Sequence, residues 1–138
     1  MTDTAETVSV VVERDIPHPP EKVWRAMTQP HLIAEWLMAN DFQPKLGHKF
    51  NLRWENRGMS GVIDAEVLKI EPHHTLVYTW NSMGVDSVVT FTLTPTDAGT
   101  HLKMEQSGFA PDATPNIEGA RWGWTNFLSK LDDVAGKD

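Results

Sequence analysis

Two hydrophobic periods divide the chain. Over much of residues 8–106 apolar and polar residues alternate, whereas over residues 115–134 apolar residues recur every three or four positions. Alternation marks half-buried strands, and the longer period marks an amphipathic helix. In the segment PNIEGARWGWTNFLSKLDDV, Ile117, Ala120, Trp124, Phe127, Leu131 and Val134 make one stripe. It runs about five turns at 3.6 residues per turn. Thr114 before Pro115 suits a helix start, because Pro at the first helical position sacrifices no hydrogen bond. So apolar a helix must bury its stripe, and a sheet is the large partner available.

Residues 8–14 (VSVVVER) are β-branched and predict a strand with Val8, Val10 and Val12 on one face and Arg14 at its end. Pro17, Pro19 and Pro20 stop it. Residues 21–27 predict a short helix, and Pro30 breaks it and opens a second over residues 31–37, burying Leu32, Ile33 and Trp36. Residues 40–46 look irregular. Residues 49–55 (KFNLRWE) put Phe50, Leu52 and Trp54 on one face of a strand. Residues 62–70 form a strand whose alternation reads two ways, with Ile63, Ala65 and Val67 on one face and Val62, Asp64, Glu66, Leu68 and Ile70 on the other. Three more strands follow at 75–80, 87–94 and 100–106, with turns at 81–84 and 97–99 and a loop at 107–112 that holds Phe109. Hairpin-sized connections imply an antiparallel meander. The expected architecture is α+β: six strands in the order β-α-α-β-β-β-β-β-α, within a single domain spanning residues 1–138.

Composition narrows the function. A net charge of −7 without a basic cluster argues against nucleic acid and anionic membrane surfaces as partners. The chain has no cysteine, which excludes disulfides and thiolate chemistry and fits a cytoplasmic location. The polar N-terminus carries no apolar signal region, and no apolar run approaches a membrane span. Six tryptophans are unusual for 138 residues; each fills core or lines a pocket.

An ordered set of residues carries a family resemblance. Glu13–Arg14, Pro20-Glu21-Lys22-Val23-Trp24, Thr28-x-Pro30 and Trp36–Leu37 resemble the opening of START-like (SRPBCC) proteins, in the group named after the activator of heat-shock protein 90 ATPase. Pro44, Gly47 and Phe50, then Ile70-Glu71-Pro72 with Leu76 and Thr79–Trp80, continue the resemblance. The stretch from Val88 to Leu93, Gly99–Thr100, Leu102, Gly108–Phe109, and Gly123–Trp124 with Leu128 and Leu131 complete it. Ala65 departs from it, standing where relatives usually have Gly. The resemblance implies the helix-grip fold: a curved antiparallel sheet around a C-terminal helix, with an internal cavity between them. It names no reaction, because one fold hosts ligand carriers, cyclases and hydrolases. The eukaryotic activators carry a separate N-terminal chaperone-binding domain, for which these 138 residues leave no room.

The residues offer little conventional chemistry. His73 and His74 are adjacent in a turn and His101 lies on another strand, so no metal site and no cofactor is expected. Gly58-Met59-Ser60-Gly61 lacks the spacing of a nucleophile elbow. The cavity remains. Its expected wall is Trp54, Ile63, Tyr78, Trp80, Phe91 and Met104 from the sheet, Trp36 and Phe42 from the small helices and following loop, and Trp124, Phe127 and Leu128 from the long helix. Tyr78 and Gln106 are its candidate polar groups, with Arg14, Asp64, Glu66 and His101 behind them. An inward Glu66 would be desolvated and become a candidate acid or base, and an outward one a solvated surface charge. Arg14 is expected in a structural ion pair.

Three functions follow. The first is binding of a small hydrophobic or amphipathic molecule between sheet and helix. The second is an interaction protein acting on a chaperone through its outer surface. The third is a cyclase- or hydrolase-type enzyme using the same cavity. Within the long helix, Gly123 sits between two tryptophans, where Gly costs up to about 1 kcal/mol relative to Ala. Close approach of a backbone or ligand is the expected reason.

Overall fold

The computed structural model describes residues 7–82 and 85–136. Its elements follow in the order β1 (Val8–Ile16), α1 (Pro20–Thr28), α2 (Pro30–Trp36), β2 (Ala39–Asn40), β3 (Lys49–Asn56), β4 (Met59–Glu71), β5 (Thr75–Ser82), β6 (Val85–Thr96), β7 (Gly99–Phe109) and α3 (Thr114–Ala135). All seven strands join one antiparallel sheet in the spatial order β1-β7-β6-β5-β4-β3-β2. The sheet holds α3 on its inner face, which is the helix-grip arrangement. The expected turn at 81–84 falls partly on Met83 and Gly84, outside the described residues.

The sheet has one strand more than the alternation gives. The addition is β2, two residues that pair with β3 through Ala39↔Arg53 and Asn40↔Leu52. So short a segment carries no period to read. Its geometry comes from Asn40, whose side-chain amide donates to the carbonyls of Met38 and Pro30 and whose Oδ1 accepts from the Phe42 backbone N–H. This local clamp delivers Phe42 into the core.

The kink between α1 and α2 follows from Pro30. Gln29 is extended, at φ −105 and ψ 123, and serves as the C-cap of α1 and the N-cap of α2. A helix continuing through residue 30 would need an N–H there to meet the Ala26 carbonyl, and proline has none. The indole N–H of Trp36 takes that carbonyl instead, at 2.8 Å.

Two β-bulges set which side chains face inward. On β4, Val67 pairs with Tyr78 and Lys69 with Val77, which leaves Leu68 as an extra residue. Ile63, Ala65 and Val67 are therefore buried before the bulge, while Ile70 packs against the core after it. This resolves the double alternation of residues 62–70: the strand changes phase part-way. On β7, Val8 pairs with Phe109 and Ser9 with Ser107, so Gly108 is extra. Its φ of 116 suits glycine, and an added Cβ would come within 2.7 Å of the Asp86 carbonyl oxygen. Leu102, Met104 and Gln106 face inward before this bulge, and Phe109 does so after it. Phe109 thus belongs to a strand rather than to the expected loop.

The core extends from the inner sheet face to α1, α2 and the C-terminal half of α3. Trp124, Leu128, Leu131, Val134 and Ala135 are buried. Arg14 holds the helix to β1, its Nε and Nη2 both 3.1 Å from Asp132 Oδ2. Ahead of Trp124, Ile117, Ala120 and Gly123 are only half-buried. The stripe is continuous in sequence, but the sheet covers only its second half. No helix is long and apolar enough to cross a membrane among the described residues.

Candidate functional site: a tryptophan-lined cleft beneath the first half of the long helix

Where α3 stands away from the sheet it leaves a cleft of about 400 Å³. One wall is the sheet end made by the close of β5, the start of β6 and the close of β7. It supplies Trp80, Ser82, Val85, Ser87, Gln106 and Phe109. The other wall is α3, from Pro115 to Phe127. The volume falls in the range of small-molecule sites.

The helical wall has a bare strip. Gly119 and Gly123 are one turn apart and both line the cleft. A Cβ added to Gly119 would meet nothing within 4 Å, and one added to Gly123 would meet only Phe127, at 3.9 Å. Neither glycine is there to admit a neighbouring backbone. Each holds open space, at a helix-propensity cost of about 1 kcal/mol. At 100° per residue, Trp122 flanks one side of this strip and Ala120, Trp124 and Phe127 the other. Trp122 is 74% exposed at the rim, while Trp124 is buried at the base.

The base of the cleft is held by a hydrogen-bonded relay. Trp124 Nε1 donates to Gln106 Oε1 at 2.8 Å, Gln106 Nε2 donates to Ser87 Oγ at 2.9 Å, and Ser87 Oγ donates to the Trp80 carbonyl at 2.7 Å. Indole N–H is only a donor, which fixes the amide orientation. The relay links α3 to three strands and gives partners to most of the polar groups it buries; Gln106 and Ser87 are each 4% exposed. The rings of Trp80 and Trp124 lie 5.1 Å apart, tilted by 56°, and Phe127 meets Trp124 edge-on at 5.6 Å. No Asp, Glu, Lys, Arg or His lines the cleft among the described residues.

Of the twelve residues expected around a cavity, Trp80, Gln106, Trp124 and Phe127 meet at this cleft. Trp36, Phe42, Phe91, Met104 and Leu128 lie instead in the packed core, with Ile63 and Tyr78 beside them. Trp54 is half-buried across the sheet, its indole lying over Gly61. Tyr78 is ringed by Phe42, Phe50 and Phe91, with centroids 5.2–6.3 Å away. Burial alone pushes its phenol pKa upward, and its hydroxyl has no hydrogen-bond partner among the described residues.

The remaining polar candidates stand away from the cleft. Glu66 is on the outer sheet side, in a separate groove of about 420 Å³ that it lines with Lys49, Phe50, Asn51, Asp64, Ala65, Thr79 and Asn81. Its backbone N–H donates to Thr79 Oγ1, and Asn51 donates to Asp64 Oδ1, each at 2.8 Å. His101 bonds Asp15 and Glu13 on the surface of β1 and β7. Arg14 is taken by Asp132. His73 sits in the β4–β5 turn, its ring edge-on to Trp24 at 6.1 Å. No group of three or more His, Asp or Glu converges in metal-binding fashion among the described residues.

Sequence reasoning missed Ser82, Ser87, Phe109, Gly119 and Trp122 as cleft residues. Phe109 waited on the bulge at Gly108. Gly119 carried a signal of its own, since it shares helical spacing with Gly123 in a helix that otherwise buries large residues.

Several solved structures resemble this one. Protein MLL2253 from Mesorhizobium loti is 57% identical, with a TM-score of 0.86 over 92% of this chain and 96% of that one. Protein CV1439 from Chromobacterium violaceum is 26% identical, with a TM-score of 0.84 over 94% and 99%. DynU16, from the dynemicin biosynthetic locus, is 26% identical, with a TM-score of 0.78 over 91% of this chain and 46% of that one. No curated protein matches the chain. The family model of the activator of Hsp90 ATPase homolog 1-like proteins matches residues 17–136, nearly the whole described fold, and the chain belongs to that family.

Proposed function

We propose that the protein binds a small, uncharged, hydrophobic or amphipathic molecule in the cleft between the β5–β7 sheet end and the first half of α3. The observation that carries this reading is the bare strip at Gly119 and Gly123, which keeps about 400 Å³ open against three tryptophans. A helix selected only for stability would not carry two glycines there, because other side chains would add helix propensity and, at Gly123, contact with Phe127. The membership of a START-like family and the relation to DynU16, from a biosynthetic locus, support the same reading. Binding is favoured over catalysis because no general base stands beside Ser82 or Ser87 among the described lining residues. We place this role in the cytoplasm on the strength of the sequence.

A thermal-shift and tryptophan-fluorescence titration with a panel of neutral aromatic, polycyclic and aliphatic compounds tests the proposal. At least one compound is expected to raise the melting temperature, as ligand binding to the native state requires. It is expected to lose that effect in Gly123→Leu. If none stabilises the protein, or if Gly123→Leu responds like the wild type, the reading fails.

A second reading is an interaction protein that acts on a chaperone. It draws on the family's description and on Met59 and Val62, which are 67% and 54% exposed on β4. Calorimetric titration with purified Hsp90 tests it, and the absence of heat would remove it.

A further inference from the structure

We infer that the cleft takes a flat ring system carrying a carbonyl-type oxygen, which accepts a hydrogen bond from Gln106. The inference rests on the cleft being a binding site and goes further, to the chemistry of what it binds.

The donors and acceptors of the relay do not balance. A primary amide has two N–H donors and a carbonyl oxygen with two lone pairs. The oxygen of Gln106 is committed to the indole N–H of Trp124, which has no acceptor capacity and so permits no flipped amide. One Nε2 hydrogen is committed to Ser87, whose own proton goes to the Trp80 carbonyl. The second Nε2 hydrogen has no acceptor among the described residues. Gln106 is 96% buried and lines the cleft, so an unused donor sits at the base of a largely apolar space. A buried donor without a partner carries a desolvation penalty that a matching acceptor relieves.

The shape of the space points to a flat occupant. Trp80 and Trp124 present ring surface from below, and Trp122 stands across the bare strip at Gly119 and Gly123. Without Cβ atoms on that strip, a ring can lie against the helix backbone between indoles. Such walls favour offset and edge-to-face ring contacts. Ser82 and Asn116, also lining the cleft, can meet a polar end of the same molecule. A charged group would meet no counter-ion there, and its desolvation would be uncompensated.

Paired probes test the inference: methyl naphthyl ketone, and isopropenylnaphthalene, which has the same shape with a methylene in place of the oxygen. Affinities come from tryptophan fluorescence titration of the full chain. The ketone is expected to bind about tenfold more tightly, the difference one buried hydrogen bond supplies. In Gln106→Met the ratio is expected to fall to about one. In case that variant folds poorly, amide NMR of the wild type gives an independent reading. The Gln106 side-chain N–H signal that does not face Ser87 should shift downfield with the ketone and not with the hydrocarbon. Equal affinities, or an unmoved Gln106 signal, overturn the carbonyl-acceptor inference while leaving the cleft as a binding site. Failure of both probes to bind, together with an unresponsive compound panel, overturns the cleft reading and this inference with it.

Discussion

The indole of Trp36 donates to the carbonyl of Ala26, replacing the backbone N–H that Pro30 lacks. One proline therefore breaks the helix and creates the acceptor that joins the two pieces. Trp36→Phe keeps the aromatic bulk and leaves the buried carbonyl without this donor. A loss of about 1–3 kcal/mol is expected. Denaturant unfolding checks it, and a change within experimental error would show that the bond contributes nothing net.

Trp54 and Gly61 face each other across β3 and β4, and a Cβ at residue 61 would lie 2.5 Å from the indole. Gly61→Ala therefore forces the half-buried Trp54 off its seat, at about 1–2 kcal/mol. The effect belongs to the pair. In a Trp54→Leu background the same Gly61→Ala change should cost much less, and a double-mutant cycle without coupling would rule out the contact as its cause.

Gly119→Ala and Gly123→Ala place methyl groups in open space on a helix. Each is expected to stabilise the protein by about 0.5–1 kcal/mol. If the cleft binds a ligand, the more stable variants should bind it less well, because the strip is no longer bare. Thermal melts with and without a bound probe separate the two effects.

Tyr78→Phe removes a hydroxyl that is buried among phenylalanine rings without a described partner. The substitution is expected to leave stability unchanged or raise it by about 1 kcal/mol, since desolvating that hydroxyl brings no hydrogen bond in return. A loss of more than about 1 kcal/mol would reveal a partner for it.

His101 meets Asp15 through Nδ1 and Glu13 through Nε2, both at 2.8 Å. These bonds, Asp15 first, favour the imidazolium and raise its pKa above the ordinary histidine value. With the folded pKa above the unfolded one, the stabilisation is fully present below about pH 6.5 and is lost as pH rises through the folded value. The cluster is largely exposed, so the effect is small. Proton NMR should give a His101 midpoint above about 6.5 that moves down in the Glu13→Gln, Asp15→Asn double variant. The wild type's stability advantage over that variant should be larger near about pH 6 than near about pH 9.

The α+β class, the order of every element but the two-residue β2, the long closing helix and the helix break at Pro30 are all legible in the amino-acid sequence. Each is written in a local period or in the missing N–H of a proline, and needs no distant partner. The sequence also brought Trp80, Gln106, Trp124 and Phe127 into the candidate site, because each lies on an inward face that alternation or helical spacing marks. The other features depend on contacts between distant elements. Ile70 and Phe109 face inward because bulges at Leu68 and Gly108 change the phase of their strands, and a bulge is set by pairing with a neighbouring strand. Glu66 faces outward for the same reason that Ile63, Ala65 and Val67 face inward: all precede the bulge. The stripe on α3 reads as one continuous face, yet its first half stands away from the sheet end. Only that separation, which no local period records, divides the residues that fill the core from those that border open space.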